Sequence, residues 1–208
     1  MSATATPSTG TLTDRTELPH ILMSGTKLGV LTALFVVLYL LIWRFIPGMA
    51  GQVLESVVVL AGGLAMALLP AQWTAARHTE GIAGAAGVGL FSSVVFMAID
   101  IVVLRPVHAY PWTWDAIGGN STWWYLPVWW QLGTFISWQG AMFTAGRSAK
   151  ATAGVGGLAV PLVIGAVALG VVAHVLGFGF TQMYPVAVGF GFAVILTVLG
   201  VAAIARKA

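Results

Sequence analysis

Apolar residues fill six stretches of this chain, at about 28–46, 52–74, 82–104, 123–145, 152–176 and 184–205. Each is near the roughly 20 residues that a helix needs to cross a bilayer. Turn residues separate most of them: Pro47-Gly48, Gly81, Gly146 to Lys150, and Gly177 to Gly179. No ten-residue block alternates strictly between apolar and polar positions, which argues against a transmembrane barrel. The pattern predicts an all-α integral membrane protein of about six transmembrane helices, forming a single domain over 27–208. Residues 1–26 read as a polar, cytoplasmic N-terminal tail rich in Thr, Ser and Ala. They lack the basic start, apolar core and small-residue site of a cleaved signal peptide. Within them, Leu18 to Met23 form an apolar patch that could order against a partner.

The one long interruption, 105–122, lies between the third and fourth stretches and is unusually aromatic. Seven of the nine tryptophans fall between Trp112 and Trp138, with Tyr110, Tyr125 and the prolines Pro106, Pro111 and Pro127. Tryptophan and tyrosine favour the membrane–water boundary, where the ring sits among acyl chains and the N–H or O–H reaches water. An aromatic loop lying on one membrane face is the expectation.

Composition reinforces the membrane reading. Only 7% of residues are charged and the mean hydropathy is +0.94, against about 25% charged in a soluble domain. Nothing forms a basic patch for nucleic acid. There is no cysteine, so disulfides, thiolate metal sites and cysteine nucleophiles are excluded. The cations are unevenly placed. Arg15, Lys27, Arg77, Arg147, Lys150, Arg206 and Lys207 fall on one side of the expected topology, and only Arg44 and Arg105 on the other. Positively charged loops stay in the cytoplasm. Both termini are therefore expected inside, and the aromatic loop outside, of a bacterial or archaeal cytoplasmic membrane.

Small residues recur every four positions at Gly81, Ala85 and Gly89, at Gly63 and Ala67, at Ala153 and Gly157, and at Ala187 and Gly191. Such faces let helix backbones approach closely in lipid, within the chain or against other subunits. Pro70 and Pro161 fall inside spans and are expected to kink them.

On this topology, Arg44, Glu55, Asp100, Arg105, His108, Asp115 and His174 all lie towards the outer face. A charge at mid-bilayer costs about 2.5–3.5 kcal/mol and tends to pair or line a cavity. One expectation is structural, with Arg44 pairing Glu55 or Asp100 and with Arg105 and Asp115 holding the loop. Two others are functional: Glu55, Asp100, His108 and His174 as oxygen and nitrogen ligands of a metal, or Asp100 and Glu55 on a proton or cation path.

Haem is disfavoured, because only His174 could serve as a ligand within the membrane. No lysine is placed for a Schiff base, and no flavin-binding, Rossmann or phosphate-loop motif occurs. The fourth stretch carries Gln131, Thr134, Ser137 and Gln139 among aromatic residues. Interhelical hydrogen bonding is expected of them. The alternative is a lipid, quinone or pigment groove using Trp112, Trp114, Trp123, Trp124, Trp129, Trp130, Gln131, Thr134 and Trp138. Asn120-Ser121-Thr122 matches a glycosylation acceptor and also reads as a helix start.

Over about a third of the chain, Pro70 to Ala145, the order of elements resembles the small membrane subunit of copper-containing methane and ammonia monooxygenases. The shared features are a span, a short basic turn, a span, an outer loop with Tyr110-Pro111-Trp112, and a span with Pro127-Val128-Trp129. The resemblance implies a metalloenzyme subunit but brings no ligand motif. The expectation drawn from the whole chain is an accessory subunit of a larger respiratory, photosynthetic or oxidising membrane complex, with bound lipid and other transmembrane subunits as partners. A metalloenzyme using the outer Asp, Glu and His residues, or a small-solute or proton-coupled transporter, are the alternatives.

Overall fold

The computed structural model describes residues 15–110, 125–148 and 155–205. Six long helices account for most of them: α1 Leu18–Phe45, α2 Met49–Trp73, α3 Thr79–Ile99, α4 Tyr125–Ser148, α5 Val155–Val175 and α6 Tyr184–Ala205. A π-helical turn, Asp100–Leu104, continues α3, and a 3₁₀ turn, Gly179–Thr181, precedes α6. No strand occurs among the described residues.

Five of the helices are long and apolar enough to cross a membrane. The exception is α4, the least apolar of the six, which carries Gln131, Thr134, Ser137, Gln139 and Thr144. Its 24 residues still span about 36 Å at 1.5 Å per residue.

The first helix opens ten residues earlier than the apolar pattern suggests. Pro19 stands in its first turn, where a missing N–H costs nothing. Gly25 and Gly29 are then buried against α3, and Leu28 is buried between them. Residues 15–26 are thus not a free polar tail. The Arg15 N–H donates to the Thr74 carbonyl at 3.0 Å, and His20 Nε2 lies 2.8 Å from the Trp73 carbonyl oxygen. Both contacts clasp the chain to the α2–α3 turn. Polar residues such as Thr26 and the following Lys27 hid a helix here, since its outward positions need not be apolar. At 28 residues, or about 42 Å, it exceeds a hydrocarbon core of about 30 Å.

Inter-helix contacts give the directions. Glu55 of α2 meets Tyr39 of α1, and Gly62 meets Phe35, so these two helices are antiparallel. Gly25 meets Val88 and Gly29 meets Ser92, making α1 and α3 parallel. The seam of Gly89 with Gly133 and Ser137, followed by Phe96 with Trp129, sets α4 antiparallel to α3. Gly170 against Ala187 and Gly165 against Ile195 do the same for α5 and α6. Helices α1, α3 and α5 therefore run one way and α2, α4 and α6 the other. Residues 46–48, 105–110 and 176–183 gather at one end of the bundle, opposite the first residues of α1 and the last of α6.

Two central helices, α2 and α4, hold the bundle together. The pair α1–α3 flanks them on one side and α5–α6 on the other. The main core joins Ala67 and Leu68 of α2, Phe143 of α4, Leu158 and Leu162 of α5, and Phe192 and Leu196 of α6. Several expected small-residue faces are consumed here. Gly63 faces Phe192, Gly89 faces Gly133 and Ser137, and Gly191 faces the Ala166 carbonyl. A Cβ on Gly140 would overlap the Ala67 carbonyl, so only glycine allows that α2–α4 crossing. These faces pack within the chain and are not free for other subunits. Gly157 is exposed, and Ala153 lies outside the described residues. Pro70 and Pro161 do fall inside α2 and α5.

Candidate functional site

Among the described residues, Asp100 is the most deeply buried ionisable group, with no exposed side-chain surface. It sits where α3 gives way to the π turn. That turn bonds the Arg105 N–H to the Asp100 carbonyl at 2.9 Å, an i→i+5 contact. The wider turn brings Arg105 back over Asp100, and its Nε donates to Oδ2 at 2.9 Å. The Tyr110 hydroxyl donates to Oδ1 at 2.6 Å. Both carboxylate oxygens are therefore engaged by strong donors, which a buried charge requires if it is to be tolerated. Around them pack Ala33 of α1, Phe96 and Leu104, with Leu126 and Trp129 of α4. The backbone after the turn is tight, and His108 has φ +51°, a region His enters more readily than most residues.

The expected pairing of Arg44 with Glu55 or Asp100 does not form. Arg44 is exposed at the end of α1 and makes no ion pair among the described residues. The partner of Asp100 is Arg105, five residues on. A straight α-helix would carry that residue to another face, so only the π turn makes the pair.

Glu55 is buried on α2, 3% exposed, and its carboxyl faces Tyr39 of α1. Its Oε2 has no partner among the described residues. One turn earlier, Gln52 Oε1 accepts the Tyr184 N–H at 3.3 Å, capping the start of α6. His174 is half-buried near the end of α5. Its Nδ1 lies 2.9 Å from the Thr181 carbonyl oxygen and its ring 5.0 Å from that of Tyr184. Thr181 in turn donates to the carbonyls of Ala173 and Phe178, tying the α5–α6 turn.

Arg44, Glu55, Asp100, Arg105, His108 and His174 do lie towards one end of the bundle, as their helix positions imply. They do not converge. No three His, Asp or Glu side chains come together as a metal-holding group among the described residues. His108 is exposed on the turn, and His174 is engaged by the α5–α6 connection. Asp115, Trp112, Trp114, Trp123 and Trp124 lie outside the described residues.

Of the polar residues on α4, Ser137 makes an interhelical hydrogen bond, to the Met66 carbonyl of α2 at 2.9 Å. Thr134 bonds back to the Trp130 carbonyl of its own helix. Gln139 is buried against Gly200 of α6, and its Oε1 has no partner among the described residues. Gln131, Trp130, Phe135 and Trp138 are exposed. Trp129 instead turns inward, onto Phe96 at 5.6 Å.

No family model, curated protein or solved structure matches this chain.

The residues that sequence reasoning overlooked are the neutral partners: Tyr110 for Asp100, Tyr39 for Glu55, and Thr181 with Tyr184 for His174. A tyrosine near the end of an apolar stretch reads as an interface anchor. Only the packing of a second helix, or the return of a turn, brings it against a buried carboxyl.

Proposed function

We propose that this protein is an accessory subunit of a larger membrane complex, crossing the membrane six times with both termini on the cytoplasmic side. The observation that carries this reading is the outward face of α4. Gln131 and Phe135 follow one another at i and i+4, both exposed, on the least apolar helix of the six. An exposed glutamine on a membrane helix suits a neighbouring helix better than acyl chains, because Gln side chains hydrogen-bond across helices. By contrast, the exposed face of α5 is aliphatic, with Val160, Ile164, Val167, Val171 and Val175, as lipid contact requires. The paired state of Asp100 and the engagement of His174 fit a structural role for the outer polar groups. The small-residue faces lend this reading no support, since the chain itself uses most of them.

The test is site-specific photo-crosslinking in the source membrane, from Phe135 on α4 and from Val171 on α5. A discrete protein adduct from position 135, with only lipid adducts from 171, is the expected result. Lipid adducts alone from both, with a chain that runs as a monomer in mild detergent, would sink the subunit reading.

A further inference from the structure

At the end of the bundle that holds the chain termini, a groove of about 400 Å³ opens between the α2–α3 turn and the last turns of α4 and α6. Arg77, His78 and Thr79 form its rim. All three are exposed, and the side chains of Arg77 and His78 make no hydrogen bond or ion pair with a described residue. The wall beneath is apolar, made by Ile82, Trp138, Met142 and Ile204. This polarity gradient, cation at the rim and hydrocarbon along the wall, matches a lipid with an anionic headgroup.

We propose that this groove binds an anionic phospholipid, its phosphate at Arg77 and Thr79 and an acyl chain along Trp138 and Ile204. Three arguments converge on a lipid as occupant. The groove lies at an end of helices long and apolar enough to cross a membrane. Its indole is 41% exposed, which suits a ring lying along a chain and reaching water with its N–H. Charge favours an anion here, because Arg77 at the rim is an exposed cation. Arginine also matches phosphate geometry through two parallel N–H donors. Basic pockets between membrane helices on the cytoplasmic side bind acidic headgroups by this physics. The groove is distinct from the aromatic region on which sequence reasoning centred, and of that set it shares only Trp138.

The full chain, reconstituted into nanodiscs of phosphatidylcholine, provides the test. Tryptophan quenching is titrated with phosphatidylglycerol or phosphatidylcholine carrying brominated acyl chains. The expected result is about a fivefold preference for the anionic lipid, the partition factor of one cation near an acidic headgroup. That preference disappears in Trp138→Phe, which assigns the signal to the groove, and falls to near unity in Arg77→Gln. Ala203→Phe, which fills the groove without touching the cation, removes it as well. Equal quenching by the two lipids would leave the groove to a helix of another chain and overturn the proposal. So would a preference that survives in Arg77→Gln or Trp138→Phe.

Discussion

Arg105 binds Asp100 twice, through its backbone N–H to the Asp100 carbonyl and through Nε to the carboxylate, both at 2.9 Å. The pair is therefore built into the π turn and not merely laid over it. Removing one partner strands the other. Arg105→Leu is expected to destabilise the protein by about 3 kcal/mol, the low end for a broken buried pair, since Arg105 keeps some contact with solvent. Asp100→Asn in that background should recover part of the loss, because the neutral amide needs no counter-charge. A double-mutant cycle in detergent, read by thermal unfolding, measures this coupling. Additive single effects would mean that the pair contributes nothing as a pair.

The helix crossings predict which glycines are replaceable. Gly140→Ala pushes a methyl into the Ala67 carbonyl and should cost about 1–3 kcal/mol by forcing α2 and α4 apart. Gly62→Ala places its Cβ 3.7 Å from Phe35, an ordinary contact, and should be neutral or stabilising by up to about 1 kcal/mol. Equal melting temperatures for the two variants would contradict the close α2–α4 crossing.

The start of α1 should depend on His20. Its contact with the Trp73 carbonyl is an ordinary hydrogen bond, contributing about 1 kcal/mol net. His20→Ala is expected to speed amide exchange in residues 15–23 by about fivefold, leaving the α5–α6 pair unchanged. Unaltered exchange at that end would show that packing of Gly25 and Gly29 on α3 holds the segment unaided.

Because the chain has no cysteine, single cysteines report topology without background. Met49→Cys and Met183→Cys, exposed at one end of the bundle, should react with a membrane-impermeant maleimide on intact cells. His78→Cys, exposed at the other end, should react only after lysis. The reverse pattern would invert the orientation inferred from the basic residues.

The last helix was readable residue for residue: the apolar run 184–205 is α6, Tyr184–Ala205. The second and third were readable to within a few positions, because about 20 apolar residues between turn signals leave few alternatives in a bilayer. The gathering of Arg44, Glu55, Asp100 and His174 at one end followed from the same alternation of helix direction. The start of α1 was hidden, since a helix that extends past the hydrocarbon core is free to carry Thr26 and Lys27 on its exposed side. Partner choice was hidden more deeply. Asp100 bonds Arg105 only because a π turn changes the residue count per turn, and Glu55 meets Tyr39 only because α1 and α2 pack in one register. Hydropathy is a property of each segment by itself, and it sets how many helices there are and where they turn. Which side chains meet depends on rotations and crossings that close contacts such as Gly140 on Ala67 decide, and those exist only in the assembled bundle.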